Sequence, residues 1–281
     1  MIIKEFNPPY LCPYKHKAIN IYTNCAFGCK YCYAGKNKEF KAADLTGLID
    51  ELKANKGVIE IGTYTDSYQP LEKRLELMRT ILNGLIKYPS PIVINTKSTL
   101  ILRDIDLLKE LSSKTTISIG ISINKESNNV LDGNAPAPKE RINTLKTLLE
   151  NGINAYLRYD PIIPFYNDDE ESINEVLREF ASTNLKRVTI STYKPTSKKQ
   201  LKAIDNILNL DHKLERFYSK GVWTKGSLFL PKEVRKGIID KFIKIADRYG
   251  LITSACREGM AIGLCDNIDY NLFSNSFKKF Y

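Results

Sequence analysis

The sequence predicts an α/β fold in which helices cover a parallel β-sheet. Two observations carry this prediction: six strand-like runs recur along the chain, and helical segments with amphipathic spacing lie between them. Strand and helix units in series form a parallel sheet with the helices on the outside. The pattern leaves open whether the sheet is an open doubly wound one or part of a barrel.

The six predicted strands are rich in Val, Ile and Tyr, which favour sheets. They span residues 18–23, 58–62, 92–95, 116–121, 154–159 and 187–191. The predicted helices carry apolar residues on one face. They span residues 44–53, 71–87, 100–112, 138–151, 168–181 and 198–210.

The region after the sixth unit has a different pattern. A loop surrounds Gly221-Val222-Trp223, a helix is predicted over 232–249, a short strand lies near Leu251, and the tail covers 277–281. No linker rich in Pro, Gly or Ser precedes this region, so we expect it to pack on the sheet as part of one structural unit. Residues 1–211 are therefore assigned to the sheet with an N-terminal extension, and residues 212–281 to a helical and irregular C-terminal cap.

The composition predicts a soluble protein with a basic surface. The chain has 281 residues, of which 43% are hydrophobic, so it can bury a sizeable core. No run approaches the roughly 18 apolar residues of a membrane span, and residues 1–5 lack a basic segment followed by an apolar stretch. We therefore expect a cytoplasmic protein with no membrane partner. The net charge of +10 favours a polyanionic partner, although Lys-rich surfaces also serve solubility.

Three of the six cysteines form the motif Cys25-x3-Cys29-x2-Cys32, directly after the first predicted strand. They therefore lie in the loop at the carboxyl end of that strand, which is the functional edge of a parallel sheet. Thiolates hold iron–sulfur clusters, and a four-iron cluster with three protein thiolates leaves one iron open to an outside ligand. The motif thus predicts a cluster that takes part in chemistry.

A structural zinc site is the alternative for this motif. Cys12 or His16 would then supply the fourth ligand of a tetrahedral site. Zinc usually binds paired Cys-x2-Cys knuckles, and a single Cys-x3-Cys-x2-Cys after a strand is unusual for zinc. The spacing therefore favours the iron–sulfur cluster.

The cysteine motif resembles the signature of the radical S-adenosylmethionine (radical SAM) superfamily. The order of strands and helices agrees with the partial (β/α)6 barrel of the TIM type found in that superfamily. The resemblance implies a [4Fe-4S] cluster whose open iron is chelated by the amino and carboxylate groups of S-adenosyl-L-methionine. It also implies reductive cleavage of S-adenosylmethionine to a 5'-deoxyadenosyl radical that abstracts hydrogen from a substrate, with an external electron donor such as ferredoxin or flavodoxin.

Four further segments resemble one branch of the superfamily, the spore photoproduct lyase-like or DNA repair photolyase-like branch. Residues 62–72 end the second predicted strand and residues 95–98 end the third, while residues 103–108 and 160–164 complete the match. The resemblance covers roughly the first two thirds of the chain. It is weaker in the cap.

The resemblance implies that Thr65, Lys97 and Ser118 bind S-adenosylmethionine, because residues at matching positions bind it in the lyase. A lysine at a strand end is suited to pair with the cofactor carboxylate. Thr65 and Asp66 are suited to its amino group, and Ser118 to its carboxylate or ribose. Asp66 and Arg158 are predicted from strand-end position alone. Loop capping or an ordinary ion pair is the alternative for each residue.

The catalytic candidates depart from the lyase pattern. In the lyase a cysteine at the end of the second strand returns a hydrogen atom to the repaired thymine, and the matching residue here is Thr63, whose O–H does not replace a thiol. Tyr31 and Tyr33 flank Cys32 and match tyrosines that relay hydrogen, or else pack beside the cluster. Cys256 and Cys265, in the cap, are candidate replacement thiols or small buried hydrophobic residues.

Three functions follow from these observations. The first is a radical enzyme acting on nucleic acid, with the basic stretches 194–202 and 232–244 as candidate contact surfaces. The second keeps the radical chemistry but acts on a peptide, protein or small molecule. The third is a non-catalytic, zinc-stabilised nucleic-acid-binding protein.

Overall fold

The computed structural model describes residues 1–6, 10–12, 14, 16–34, 39–125, 130–260 and 262–269. The strands in these residues follow in chain order as β1 (Lys4–Phe6), β2 (His16–Ile19), β3 (Ile59–Ile61), β4 (Ile92–Thr96), β5 (Ile117–Ser122), β6 (Ala155–Ile162), β7 (Arg187–Thr192), β8 (Val222–Thr224), β9 (Ser227–Phe229) and β10 (Ile252–Ala255). The six predicted strands are β2 to β7, so all six are confirmed.

Eight of these strands form one sheet in the order β1-β2-β3-β4-β5-β6-β7-β10. Strand β1 pairs antiparallel with β2, and every other neighbouring pair is parallel. Because β1 and β10 are the two edges of the described sheet, it is an open, partial barrel. The predicted α/β partial barrel is therefore confirmed, with an antiparallel first strand that the sequence pattern missed.

The helices lie between the strands, as the sequence predicts. They are α1 (Leu48–Ala54), α2 (Glu72–Leu75), α3 (Leu77–Lys87), α4 (Ile105–Ser112), α5 (Pro138–Glu150), α6 (Glu170–Arg178), α7 (Lys198–Ile207), α8 (Lys213–Tyr218) and α9 (Lys232–Asp247). Two 3-10 helices cover Thr99–Asp104 and Cys265–Asn267. None of the helices within the described ranges combines the length and apolar character needed to span a membrane.

The predicted helix over residues 71–87 is in fact two helices, and Glu72 explains the break. The chain turns at Glu76, which adopts a left-handed conformation with φ of 50°. The buried Glu72 carboxylate then accepts hydrogen bonds from the backbone N–H groups of Leu77 and Met78 at 3.1 and 2.9 Å. It therefore caps the N-terminus of α3, where unpaired N–H groups favour a negative charge.

The C-terminal region contributes to the main sheet as well as covering it. The predicted loop around Gly221-Val222-Trp223 is the hairpin of β8 and β9, and the short strand predicted near Leu251 is β10, which pairs in parallel with β7. Helix α9 packs against β7 and β10. The predicted tail over 277–281 lies outside the described residues.

A buried ion pair attaches this region to the end of β7. The Lys194 ammonium lies 2.6 Å from the Glu258 carboxylate, which also pairs with Arg235 at 2.7 Å. Burial acts to raise the pKa of Glu258, but the two cations hold it below its ordinary value. The pairs therefore fix the segment after β10 against the carboxyl edge of the sheet.

We predict that Glu72→Ala lowers the free energy of unfolding by about 3 kcal/mol, measured by urea denaturation. The substitution removes the acceptor for the Arg103 guanidinium, which lies 2.8 Å away, and for the Tyr22 hydroxyl at 2.6 Å. Glu76→Ala is the matched control, because Glu76 is 58% exposed and 4.0 Å from Arg103. A surface pair of this kind contributes about 0–1 kcal/mol. Equal losses in both variants would contradict this role for Glu72.

Candidate active site

The loop with Cys25, Cys29 and Cys32 follows β2 and is held in place through its backbone. The Gln69 side chain accepts a hydrogen bond from the Ala26 N–H at 2.8 Å and donates one to the Asn24 carbonyl at 2.8 Å. On the other side, Gln200 donates to the carbonyls of Lys30 and Cys32 at 3.2 and 3.0 Å. The loop after β3 and the first turn of α7 thus fix the cysteine loop from two directions.

A second contact comes from the segment after β5. The Lys30 N–H donates to the Leu131 carbonyl at 2.8 Å, and the Asn134 N–H donates to the Phe27 carbonyl at 2.7 Å. A Cβ atom at Gly133 would lie 2.2 Å from the Phe27 carbonyl oxygen, and Gly133 has a φ of 60°. Only glycine permits this close approach of the two backbones, so the segment after β5 packs directly on the cysteine loop.

Asp132 in this segment joins the cysteine loop to helix α5. Its carboxylate accepts a hydrogen bond from the Tyr31 hydroxyl and pairs with the Arg141 guanidinium at 2.6 Å. Its backbone carbonyl accepts from the Cys29 thiol at 3.4 Å. Burial acts to raise the pKa of Asp132, but the charges of Lys97 and Arg141 hold it below its ordinary value. Burial also raises the pKa of Tyr31, and Asp132 adds to this effect.

A cavity of about 470 Å³ opens at the carboxyl edge of the sheet, within the size range of small-molecule sites. All three loop cysteines line it. So do most of the other candidate residues predicted from the sequence, namely Tyr31, Tyr33, Thr65, Asp66, Lys97, Arg158, Cys256 and Cys265. Thr63 also lines the cavity. The carboxyl ends of the parallel strands therefore bring residues that are distant in sequence to one cavity.

Lys97 presents its charge to this cavity. Its ammonium group lies 5.4 Å from the centroid of the Tyr31 ring, and its charge opposes the rise that burial causes in the pKa of Cys29, which is still raised to about 12. Within the described ranges the Lys97 ammonium forms no ion pair. An anion entering the cavity would therefore find this cation available.

Asp66 organises the loop that carries Lys97. Its carboxylate accepts hydrogen bonds from the Thr96 hydroxyl at 2.7 Å, the Lys97 N–H at 2.8 Å and the Tyr68 N–H at 2.9 Å. Burial raises the pKa of Asp66, and these bonds oppose the rise. Both of its oxygens are occupied, so the residue ties the end of β4 to the loop after β3.

The threonines and Tyr33 on this wall also have hydrogen-bond partners. The Thr65 hydroxyl donates to the Tyr22 carbonyl at 3.1 Å, and Thr65 lines the cavity. The Thr63 hydroxyl exchanges hydrogen bonds with Asn20, and the Thr63 carbonyl accepts from the Tyr33 hydroxyl. The hydroxyls of Tyr31 and Tyr33 therefore both donate to protein acceptors.

Arg158 also lines the cavity, but two carboxylates neutralise its charge. Its guanidinium pairs with Asp266 at 2.6 Å and with Asp160 at 2.9 Å. Asp266 also accepts from the Tyr156 hydroxyl at 2.8 Å. Burial acts to raise the pKa of Asp266, but Arg158 and the hydrogen bonds hold it below its ordinary value. The predicted cofactor role of Arg158 thus competes with a structural ion pair.

Ser118 does not reach the cavity, contrary to the sequence prediction that it faces the cofactor. Its side chain is fully buried, and its hydroxyl donates to the Asp266 carbonyl at 2.5 Å. Ser118 is the second residue of β5 and pairs with Val93, so it lies well below the carboxyl edge. The serine at that edge is Ser122, which does line the cavity.

Several cavity residues were missed by the sequence analysis, and a signal existed for most of them. Ser122 and Asp160 end or nearly end β5 and β6, and Lys194 follows β7, as Lys97 follows β4. The same strand-end rule would have found them. Asp266 carried no signal, because it lies in a 3-10 helix far along the chain.

The donor set of the cysteine loop fits an iron–sulfur cluster. Its three thiols are free of disulfides, half-buried, and line one cavity. Thiolates from one short loop are the usual protein ligands of such a cluster. Among the described residues, no three His, Cys, Asp or Glu side chains are grouped so as to hold a single metal ion. The fit therefore rests on the chemistry and placement of the thiols.

Comparisons with known proteins identify the family of this chain. The model of the radical SAM superfamily matches residues 19–180. An uncharacterized protein of Methanocaldococcus jannaschii is 38% identical over 186 residues, which cover 61% of this chain and 70% of that protein. An uncharacterized protein of Mycobacterium tuberculosis is 25% identical over 199 residues, which cover 63% of this chain and 58% of that protein.

Solved structures resemble the fold over most of the chain. A Cys-to-Ser mutant of spore photoproduct lyase superposes with a TM-score of 0.68 at 15% identity, covering 90% of this chain and 78% of that one. A double mutant of the same lyase with bound S-adenosylmethionine and dinucleoside spore photoproduct gives 0.62 at 15% identity, covering 85% and 75%. Streptococcus suis SuiB bound to S-adenosylmethionine gives 0.56 at 12% identity, covering 85% and 49%.

At these identities the structural matches establish the fold, while the family model spans more than half of the chain and includes the cysteine loop. The chain therefore belongs to the radical SAM superfamily and is a radical SAM enzyme.

Proposed function

We propose that this enzyme binds a [4Fe-4S] cluster through Cys25, Cys29 and Cys32 and uses it, with S-adenosylmethionine, to abstract hydrogen from a nucleic-acid substrate. The observation that carries the proposal is the opening of all three thiols into the cavity that also holds the Lys97 ammonium. When bound, the cluster and S-adenosylmethionine supply reductive cleavage to a 5'-deoxyadenosyl radical. An external electron donor such as ferredoxin or flavodoxin is part of the proposal.

Two residues of the chain are proposed to hold S-adenosylmethionine directly. The Lys97 ammonium pairs with the cofactor carboxylate, because it is a half-buried cation that faces the cysteine loop. The Thr65 oxygen accepts a hydrogen bond from the cofactor amino group, because its own proton is already donated to Tyr22. Both lie on the wall formed by β3 and β4.

Other predicted residues are given supporting roles in this proposal. Asp66 positions Lys97 by accepting its backbone N–H, and Arg158 holds the opposite wall through Asp266 and Asp160. Tyr31 and Tyr33 pack beside the cysteine loop with their hydroxyls bound to protein acceptors. Ser118 has no role in cofactor binding, because its hydroxyl is buried against Asp266.

The cavity mouth supports a nucleic-acid substrate. Tyr33 and Tyr64 line the cavity and are 52% and 54% exposed, so their rings are available to stack on bases. Lys225 and Arg257 line the same cavity and bring positive charge to the mouth. Stacking rings beside cations are the usual means of binding single-stranded nucleic acid. The dinucleoside bound by the lyase of similar fold is in keeping with this substrate class.

The two predicted basic stretches differ in where their exposed lysines lie and in how they are paired. In residues 194–202, Lys194 is buried against Glu258, but the lysines of α7 are exposed beside the cysteine loop. In residues 232–244, Lys236 pairs with Asp240 at 2.5 Å and Lys241 with Asp168 at 3.6 Å. The proposal therefore assigns substrate contact to the cavity mouth and the start of α7.

We predict that Cys29→Ala abolishes both iron binding and 5'-deoxyadenosine formation after anaerobic reconstitution. The loss of one thiolate of three leaves too few protein ligands for the cluster. Iron content, the visible absorbance of the cluster and 5'-deoxyadenosine by chromatography are the measurements. Cys12→Ala, outside the loop, is the matched control and is expected to retain iron. Persistence of 5'-deoxyadenosine in Cys29→Ala, or zinc without iron in the unaltered protein, would contradict the cluster.

We predict that Lys97→Ala raises the Kd for S-adenosylmethionine about 10- to 100-fold, because a hydrogen bond to a charged group contributes roughly 1.5–3 kcal/mol. Calorimetric titration of the reconstituted protein measures this change, and an unchanged iron content shows that the cluster persists. Lys125→Ala is the matched control, because the Lys125 ammonium is bound to Ser172 and the Tyr166 carbonyl. Equal affinities for both variants would exclude Lys97 from the cofactor site.

We predict that Tyr64→Ala weakens binding of a single-stranded oligonucleotide roughly tenfold, because stacking contributes about 1–3 kcal/mol per base. Fluorescence anisotropy at two salt concentrations is the measurement, and binding is expected to weaken with salt. Tyr88→Ala is the control, because Tyr88 precedes β4 and so lies at the opposite edge of the sheet. If neither DNA nor RNA binds in a salt-sensitive way, the substrate belongs to another class.

A further inference from the structure

One carboxylate on the cavity wall is held differently from the others. The carboxylates that line the cavity within the described ranges are Glu60, Asp66, Asp160 and Asp266. The three aspartates are engaged by the Arg158 guanidinium or by hydrogen bonds from the end of β4 and the loop after β3. The Glu60 side chain instead has one hydrogen-bond partner in the described part of the chain, the His16 imidazole, whose Nε2 atom lies 2.6 Å from Glu60 Oε2.

His16 fixes the orientation of this carboxylate. An ionised carboxylate only accepts hydrogen bonds, so the His16 Nε2–H is the donor. The His16 side chain is 4% exposed, whereas that of Glu60 is 15% exposed and lines the cavity. The second oxygen, Glu60 Oε1, has no hydrogen-bond partner among the described residues. The carboxylate is therefore held in place and keeps acceptor capacity for a group that enters the cavity.

The cavity is deeper at β3 than at β5. Parallel pairing places Glu60 opposite Val93, and Val93 opposite Ser118, so the three residues lie at one level of the sheet. At β5 the C-terminal region closes this level, because Ser118 is fully buried and donates to the Asp266 carbonyl. At β3 the Glu60 side chain still lines the cavity. The Glu60 carboxylate therefore lies below the strand ends, toward the floor of the cavity.

Aromatic rings lie along the wall between the mouth of the cavity and this carboxylate. Phe6 pairs with His16 across the antiparallel β1 and β2, and the centroids of their rings lie 4.6 Å apart. The centroid of the exposed Tyr64 ring lies 6.1 Å from that of Phe6. All three side chains line the cavity. A flat ring that enters along this wall would therefore meet aromatic side chains before its edge meets Glu60.

The charges around the cavity favour a neutral ligand group at Glu60. The carboxylate repels a ligand anion, while Lys97, Arg158, Lys225 and Arg257 line the same cavity and disfavour a ligand ammonium group. A neutral ring whose edge donates hydrogen bonds satisfies both constraints. On its Watson–Crick edge guanine places two donors side by side, N1–H and the 2-amino group. In adenine, cytosine and thymine an acceptor adjoins every donor on that edge, and it would face the carboxylate.

We infer that Glu60, held by His16, is a base-recognition residue that accepts hydrogen bonds from the Watson–Crick edge of a guanine in the substrate. The inference rests on the proposed nucleic-acid substrate and adds the base that the cavity prefers. Glu60 contacts the base, and His16 is a positioning residue. The exposed Tyr64 ring stacks on a neighbouring base at the mouth.

The test compares the binding of single-stranded hexamers to the full chain after anaerobic reconstitution. The probes are a thymine hexamer and three versions of it that carry one central guanine, hypoxanthine or adenine. Hypoxanthine differs from guanine only in lacking the 2-amino group, so it removes one donor without adding bulk. Fluorescence anisotropy is expected to give a Kd for the guanine hexamer roughly tenfold below those of the hypoxanthine and adenine hexamers.

Glu60→Gln keeps the shape of the side chain and removes its charge. It is expected to reduce the preference for guanine to within about threefold, because an uncharged acceptor forms a weaker hydrogen bond. Glu5→Gln is the matched control and is expected to keep the full preference. Glu5 is exposed on β1 next to Phe6, so its side chain points to the opposite face of the sheet. Circular dichroism checks that each variant is folded.

His16→Gln tests the positioning role separately. It is expected to reduce the preference for guanine and to leave the affinity for the thymine hexamer unchanged, because the carboxylate remains but loses its fixed orientation. A merely structural role for His16 would instead weaken the binding of all four hexamers alike.

Two results would overturn the inference. One is equal affinity of the unaltered chain for the guanine and hypoxanthine hexamers, and the other is a guanine preference that persists in Glu60→Gln. In both cases salt-sensitive binding of the thymine hexamer would still support a nucleic-acid substrate. If no hexamer binds, the inference and the nucleic-acid substrate fail together, while iron binding by the cysteine loop is measured independently.

Discussion

The parallel register of the central strands determines where chemistry occurs in this protein. Ile19 lies opposite Ile61, and Ile61 opposite Ile94, so the carboxyl ends of β2, β3 and β4 meet at one edge. The cysteine loop follows the first of these strands and Lys97 follows the third. The backbone hydrogen bonds of the sheet therefore fix the relative positions of the loops that carry the site residues.

Charge compensation around the cavity explains which side chains remain available. Burying a charge is costly unless it is paired, and Arg158, Lys194 and Arg141 each pair with a carboxylate. The pairs of Arg158 and Lys194 also join elements that are distant in sequence, since Asp266 and Glu258 belong to the C-terminal region. Lys97 differs, because within the described part of the chain its ammonium rests on the Tyr31 ring and forms no ion pair. That difference makes it the cation suited to an incoming anion.

The sequence predicted the strands well because short segments rich in Val, Ile and Tyr alternate with longer amphipathic segments, and β2 to β7 coincide with the former. It placed Lys97 at the cavity because the apolar pattern locates the end of β4, and Lys97 directly follows that end. It placed Ser118 wrongly because two serines, Ser118 and Ser122, lie on β5, and only register distinguishes the buried one from the one at the edge.

Other features depended on contacts that no local pattern contains. The break between α2 and α3 comes from the buried Glu72 carboxylate, which caps the second helix while it binds Arg103. The addition of β10 to the sheet depends on its pairing with β7, which a four-residue strand does not reveal. Gly120 is a similar case: a Cβ atom there would lie 2.2 Å from the Asn95 side-chain oxygen, which accepts from Tyr156.

The cavity brings together two groups of cysteines whose surroundings suit different chemistry. Hydrogen bonds from several neighbouring segments fix the backbone around Cys25, Cys29 and Cys32, and so position the three thiols to act as ligands. Cys256 and Cys265 line the same cavity from the C-terminal region, and the Cys265 thiol donates to the Asp266 carboxylate at 3.4 Å. Once the loop thiolates are bound as ligands, Cys256 is the more reactive of the thiols that remain on the cavity, because a cation lies beside it and burial disfavours the thiolate at Cys12.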